Sequence, residues 1–242
     1  MKTLQQELNL DLDFTTQNED MVHPAIRIVR AITVALMIAG YFVVMLPFYP
    51  ILKMKPVWTK KHILGPILSR FCLLLLRVIG FKVTKSGDFN VKNGTVVVAN
   101  HLGYIDMMVL WGVAKGCFIS TVEVQETPLF GQIAELAGCI FIERRNRENL
   151  QAEVAKVKSQ LDKGLNVIFF PEGKCTNGSE LLRFRRPFFA PATERKADIL
   201  TVTMNFHTIC GKPLDRNNRH LVLWYRQKKV LLHLWEMMAY KS

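Results

Sequence analysis

No Cys-x-x-Cys pair occurs in this 242-residue sequence, and its five cysteines, Cys72, Cys117, Cys139, Cys175 and Cys210, are odd in number and widely spaced. Neither a disulfide framework nor a cysteine zinc site is indicated, and a reducing cytosolic setting is the simpler reading. Acidic residues are few, 20 against 32 Lys and Arg, which leaves a net charge of +12. Such an excess favours a polyanion, either nucleic acid or the anionic face of a membrane, and says nothing of fold. No Gly-x-Ser-x-Gly elbow is present, so nothing supports a serine hydrolase of that type. Internal repeats and low-complexity tracts are also missing.

Charge itself is missing from Ala31 to Leu52, a run bounded by Arg27 and Arg30 before and Lys53 and Lys55 after. Half of all residues are hydrophobic and the mean hydropathy is +0.14, high for a purely soluble enzyme. A run of this length just crosses a hydrocarbon core of about 30 Å, while Pro47 and Pro50 leave a re-entrant or interfacial helix open. A core helix of that length would carry a polar stripe, and this run has none. A cleaved signal peptide fits less well, because an acidic segment precedes the run and no small-residue cleavage pattern follows. Lys53, Lys55, Lys60 and Lys61 outnumber Arg27 and Arg30, which places the rest of the chain on the cytoplasmic side. Residues 63–80 are apolar apart from Arg70 and Arg77, two turns apart, and read as an amphipathic helix lying on the bilayer. The expected organisation is a mobile acidic tail over 1–26, a membrane anchor with interfacial helices over 27–85, and a catalytic domain over 86–242.

From residue 94 onward, short β-branched runs alternate with helical periodicity. TVVVA, CFISTVEV and CIFIE read as strands, and IDMMVLWGVA and PLFGQIAELA as helices. Leu150, Val154, Val157 and Leu161 recur at helical spacing before Gly164, LNVIFF reads as a central strand, and ILTVTMNF and HLVLWYR as further strands. The expected fold is α/β, with a mixed, largely parallel sheet flanked by helices and an N-terminal membrane-associated helical segment.

Asn100-His101-Leu102-Gly103-Tyr104-Ile105-Asp106 follows directly on TVVVA, where a strand end opens into a loop and helix, the place where α/β proteins build sites. A turn at Gly103 brings Asp106 back toward the imidazole, so that the carboxylate fixes the tautomer and the other ring nitrogen takes a proton from a hydroxyl. Two more strand ends carry chemistry: Arg144, Arg145 and Arg147 after CIFIE, and Pro171-Glu172-Gly173 after LNVIFF. If the strands are parallel, all three groups share one edge. Arginine near a helix start lacks support from the helix dipole, so a phosphate contact is the better account of Arg144.

These blocks, in this order over about residues 94–206, resemble the glycerolipid acyltransferase family that includes 1-acylglycerol-3-phosphate acyltransferases. The resemblance implies that His101 is the general base and that Asp106 orients it. It implies that Arg144 holds the acceptor head group and that Glu172 and Gly173 complete the acceptor pocket, with Arg147 and Lys174 as further substrate-binding residues. It implies no cofactor, metal or covalent acyl-enzyme. Acyl-CoA or acyl-carrier protein would be the donor substrate, and a lysophospholipid at the bilayer, first of all 1-acylglycerol-3-phosphate, the acceptor in phospholipid synthesis.

The sequence departs from the family's usual pattern at Gly103, where Ser is usual, at Thr121 (Lys), at Lys174-Cys175 (Thr-Arg) and at Thr201 (Pro). Losing the arginine at 175 removes a bidentate donor that Lys174 replaces only as a point charge. Other acceptors therefore stay open, and Trp224-Tyr225 with His233-Leu234-Trp235 resembles the lyso-ornithine-lipid branch. The rival from another class is a non-catalytic basic module on a membrane or nucleic acid. Its basic residues should interleave with exposed aromatics, whereas Arg183, Arg185 and Arg186 and the run Arg226–Lys229 flank apolar segments, so no nucleic-acid partner is expected.

Overall fold

Runs of β-branched residues too short for helices pair best when both their faces are covered, and that is how this chain uses them. The computed structural model of the chain describes residues 21–54, 57–87, 91–114, 116–127, 130–143, 148–216, 218–224 and 229–240. Five strands, β1 (Val96–Ala99), β2 (Cys117–Thr121), β3 (Ile140–Ile142), β4 (Val167–Phe169) and β5 (Ile199–Val202), form one sheet in the order β3-β2-β4-β1-β5. Every pairing in it is parallel. The expected largely parallel sheet is seen, here parallel in every pairing, and the antiparallel pair Thr208–Ile209 with Lys212–Pro213 stands apart as its own ribbon.

The helices of the described chain are α1 (Pro24–Met45), α2 (Val57–Ile79), α3 (Tyr104–Val113), α4 (Phe130–Leu136), α5 (Leu150–Asp162) and α6 (Val230–Met237), besides shorter turns. Alternation along β1 assigns them to the two faces. Val96 and Val98 pack with Val157 and Leu161 of α5 and with Phe188 and Ala192. Val97 and Ala99 pack on the other face with Leu110 of α3. In α5 the expected stripe is seen: Val157 and Leu161 are fully buried, Val154 is partly so, and Leu150 lies at the exposed end.

The described part of HLVLWYR, residues 220–224, does not form the expected strand. Arg219–Leu221 is a 3-10 turn, and Leu221, Val222 and Leu223 are all buried in succession. A continuous apolar run without alternation fits any buried backbone, and here it packs beneath the loop after β1, with the Trp224 N–H donating to the Leu102 carbonyl (2.9 Å). Residues 225–228 lie outside the described residues.

Two long helices run antiparallel beside the sheet. Val34 of α1 packs on Leu75 and Ile79 of α2, and Tyr41 and Met45 pack on Leu68 and Cys72. The inner stripe of α2 also reaches the core, where Leu76 meets Ile105 of α3 and Met237 of α6. So α2 is not simply laid on a bilayer. Its opposite face mixes exposed Ile67 and Leu74 with Arg70 and Arg77, the pattern of an interfacial surface.

The uncharged run lies partly inside α1, which begins at Pro24 and includes Arg27 and Arg30, so the expected boundary at residue 26 falls within a helix. Residues 1–20, expected as a mobile tail, lie outside the described residues. At its far end α1 stops at Met45, where Leu46–Phe48 tightens into a 3-10 turn around Pro47 and a short helix, Tyr49–Met54, follows. Both arginines close on the end of α6. Arg27 Nε donates to the Trp235 carbonyl (3.1 Å) with its guanidinium 4.0 Å from the ring centre. Arg30 Nη1 donates to the Tyr240 carbonyl (2.7 Å), and the Val22 N–H donates to that of Ala239 (2.7 Å). The last carbonyls of a helix lack partners within it, and cations suit them.

Leu161→Ala should lower unfolding stability by about 2–5 kcal/mol, the usual cost of emptying a buried leucine site. Leu150→Ala, on the same stripe but exposed, should change it by under about 0.5 kcal/mol. Chemical denaturation in one detergent compares the two.

Candidate active site

The connection leaving β1 passes through α3 on one face toward β2, while that leaving β4 passes through Arg186–Arg195 on the other face toward β5. Because β1 and β4 are neighbours, the two connections diverge and a crevice opens at their carboxyl ends, the place where open parallel sheets bind ligands. Residues 100–106 and 170–175 are delivered to its two sides.

Asn100 fixes the first side. Its side chain donates to the Met204 carbonyl (3.0 Å) and accepts the Met204 N–H (2.7 Å), tying the exit of β1 to the segment after β5. His101 comes next, with Nδ1 at 3.0 Å from Asp106 Oδ2. The same oxygen accepts the N–H groups of Leu102 (2.5 Å) and Gly103 (2.9 Å). This is the return expected at Gly103: the chain turns around one carboxylate, and α3 starts with Asp106 in its first turn, where a negative charge suits the helix dipole. The Asp106 side chain is fully buried and that of His101 is 15% exposed. The imidazole stacks on Phe170, centroids 3.9 Å apart and planes within 7°.

The chemistry follows from those contacts. A carboxylate accepting from Nδ1 fixes the proton there and leaves Nε2 as the basic nitrogen. His101 lines a cavity of about 420 Å³ whose walls are mostly apolar, among them Met107, Phe118, Ile142, Phe169, Phe170 and Trp224. Polar groups gather at Ser120, Thr121, Lys174, Cys175 and Arg185, and among the described residues no carboxylate lines it. A general base in an apolar cavity beside two cations suits proton removal from a hydroxyl on a molecule with an apolar body and an anionic group.

Of the residues expected to bind substrate, Gly173 and Lys174 line this cavity. Arg144 and Arg147, with Arg145, lie outside the described residues. Glu172 does not line it: its side chain is buried, with Oε2 accepting the Leu182 N–H (3.1 Å). Gly173 has φ +73°, a conformation that favours glycine, and a Cβ there would lie 2.4 Å from Arg185 Nε and push that side chain aside.

Four residues at the site were not singled out in the sequence: Asn100 as a clamp, Phe170 as a stacking partner, Trp224 as a wall and Arg185 as a cavity cation. The arginine run at 183–186 was visible, but only the structure shows that Arg185 is the member that lines the cavity. Trp224 crowds position 103, since a Cβ on Gly103 would lie 3.2 Å from both its N and its Cβ. Tyr104 meets the Trp224 ring edge-on and shares a hydrogen bond with His233 Nδ1 (3.1 Å). Burial pushes the Tyr104 phenol well above its ordinary value, so it stays protonated at neutral pH.

Comparison with known proteins bears on the family and the fold. A family model described as Acyltransferase matches residues 80–205, just over half of the 242 residues. The chain is 32% identical over 124 residues, 51% of its own length and 49% of the other's, to a 1-acyl-sn-glycerol-3-phosphate acyltransferase of Neisseria gonorrhoeae. It is 27% identical over 198 residues to a lyso-ornithine lipid O-acyltransferase of Brucella abortus, covering 78% of this chain and 72% of that one. The match to the Neisseria relative thus spans about half of that protein's length. The crystal structure of the 1-acyl-sn-glycerophosphate acyltransferase PlsC from Thermotoga maritima shares the fold, with a TM-score of 0.56 at 21% identity over 84% of this chain and 80% of that one.

Gly103→Ser should cost about 1–3 kcal/mol, because the backbone of Trp224 must move to admit the side chain. Denaturant midpoints with and without Trp224→Gly, which removes the facing Cβ, test this, and the double variant should recover part of the loss.

Proposed function

The chain belongs to the acyltransferase family, and we propose that it transfers a fatty acyl group from a thioester donor, acyl-CoA or acyl-carrier protein, to the hydroxyl of a lysolipid at a membrane surface. The observation that carries this reading is the His101–Asp106 contact of 3.0 Å within an apolar cavity that also holds Lys174 and Arg185.

In the reaction, His101 Nε2 removes the hydroxyl proton as the oxygen attacks the thioester carbonyl carbon. The new C–O bond forms, the C–S bond breaks, and the proton passes from the imidazolium to the departing thiolate. Asp106 holds the ring and stabilises its charged form. Neither water nor an enzyme nucleophile is needed, because the bound hydroxyl attacks directly.

The membrane enters through α1. Its 22 residues span about 33 Å at 1.5 Å each, enough for a hydrocarbon core, and Ile28, Val29, Ile32, Leu36, Val43 and Val44 are exposed along it. Cations following the helix favour a catalytic domain on the cytoplasmic face.

1-Acylglycerol-3-phosphate is the first acceptor for this reading, because a phosphomonoester suits the paired cations. Lyso-ornithine lipid is the second. It is favoured by Cys175 standing where the family's arginine is usual, and by a match to the Brucella relative that covers more of this chain than the Neisseria match does.

The test is direct: detergent-purified protein is incubated with labelled acyl-CoA or acyl-carrier protein and a panel of lysolipids. A doubly acylated product is expected with an anionic lysolipid and none with His101→Ala. Transfer to no member of the panel, or undiminished transfer by His101→Ala, would refute the reading. Salt-sensitive binding of DNA or RNA that survives His101→Ala would favour a non-catalytic module instead. Asp106→Asn should keep α3, as read by circular dichroism, while turnover falls about 10⁴-fold.

A further inference from the structure

The chain lacks the arginine usual at position 175, yet an arginine fork reaches the same place from another segment. Leu182 donates its N–H to Glu172 Oε2 (3.1 Å), and Arg185 donates its N–H to the Pro171 carbonyl (2.9 Å). These two bonds lay residues 182–185 along the Pro171–Gly173 turn. They bring the Arg185 side chain over Gly173, where Nε would be 2.4 Å from an added Cβ. The guanidinium lines the cavity beside His101, Lys174 and Cys175. Arg183, Arg185 and Arg186 are all exposed, but of the three only Arg185 lines the cavity.

Charge balance points the same way. No carboxylate is bonded to Arg185 among the described residues. The nearest acid in the turn, Glu172, is buried beneath the surface, with one oxygen committed to Leu182. An arginine whose backbone is fixed on the Pro171–Gly173 turn, and whose guanidinium has no ion pair among the described residues, is set to take a bidentate oxyanion.

We infer that Arg185 recognises the anionic group of the acceptor head group, and that Glu172 is a positioning residue acting through the 182–185 segment rather than a substrate ligand. The inference rests on the acyl-transfer reading above and deepens it. The shared chemistry is a planar or tetrahedral oxyanion, supplied by the phosphomonoester of 1-acylglycerol-3-phosphate or by the carboxylate of lyso-ornithine lipid. Gly173 becomes part of the recognition device, because any side chain there would displace the fork.

Kinetics with the purified full-length chain, varying acceptor and donor separately, test the assignment. Arg185→Ala should raise the acceptor KM about ten- to a hundred-fold, the range of a lost charge-assisted hydrogen bond, with kcat and donor KM within about three-fold of wild type. Arg185→Lys, which keeps the charge but not the fork, should fall between, and Arg183→Ala should match wild type. Glu172→Ala should reproduce the Arg185→Ala split, whereas Glu172→Gln, which still offers an oxygen to the Leu182 N–H, should restore the acceptor KM. The 1-acylglycerol-3-phosphate and lyso-ornithine arms show which head group the fork serves, and a neutral monoacylglycerol should be insensitive to Arg185→Ala.

An unchanged acceptor KM in Arg185→Ala would overturn the inference, and a raised donor KM would reassign the residue to the donor. Equilibrium binding of each lysolipid in mixed micelles separates the two levels of argument. If wild type transfers nothing, the acyltransferase reading fails. If Arg185→Ala binds the anionic lysolipid as tightly as wild type, this inference fails alone.

Discussion

A single carboxylate oxygen organises the end of β1. Asp106 Oδ2 accepts from His101 Nδ1 and from the backbone of Leu102 and Gly103, so one buried charge defines the turn, starts α3 and fixes the imidazole. Burying a carboxylate is costly unless donors surround it, and here three donors converge on one atom. Stability and chemistry are therefore linked at this point: the bonds that fold the loop are the ones that set the tautomer. The stacked Phe170 ring and the Asn100–Met204 clamp hold the same loop from β4 and from the segment after β5.

The placement of the cavity is a result of strand order. With β1 and β4 adjacent at the sheet centre and their connections diverging to opposite faces, a crevice is left at their carboxyl ends. The outer helices give it a direction. α2 packs on both α1 and α3, so the helix bearing the exposed apolar face is two packing layers from Asp106. An acceptor with its acyl tail in a bilayer and its head group among cations has its hydroxyl near the interface, where such a cavity can meet it.

Much of this was legible in the sequence, and the parts that were not have physical reasons. The strand and helix alternation after residue 94 follows from side-chain period, and β1, α3, β2, α5, β4 and β5 fall where the pattern puts them. The Leu221–Leu223 run failed because uninterrupted apolar residues have no period to read. His101 and Asp106 were found because strand end, glycine and carboxylate stand within seven residues, so a local rule sufficed. Arg185, Trp224 and Phe170 reach the site by tertiary routes, through the Pro171 carbonyl, the Leu102 carbonyl and ring stacking, and sequence spacing carries no trace of these. Glu172 was visible in the Pro-Glu-Gly block, but its bond to the Leu182 N–H, ten residues on, is a tertiary contact that spacing does not show.

The clasp between α1 and the end of α6 also has a consequence in time. The bond from Arg30 to Tyr240 joins residues 210 apart in sequence, and that from Arg27 to Trp235 joins residues 208 apart. Synthesis proceeds from the N-terminus at about 5–20 residues per second, so α1 emerges at least roughly ten seconds before its partners exist. During that interval its two arginines lack the carbonyls they later meet at the end of α6. The clasp can therefore close only once the end of α6 has been made, which makes it a late contact of the fold.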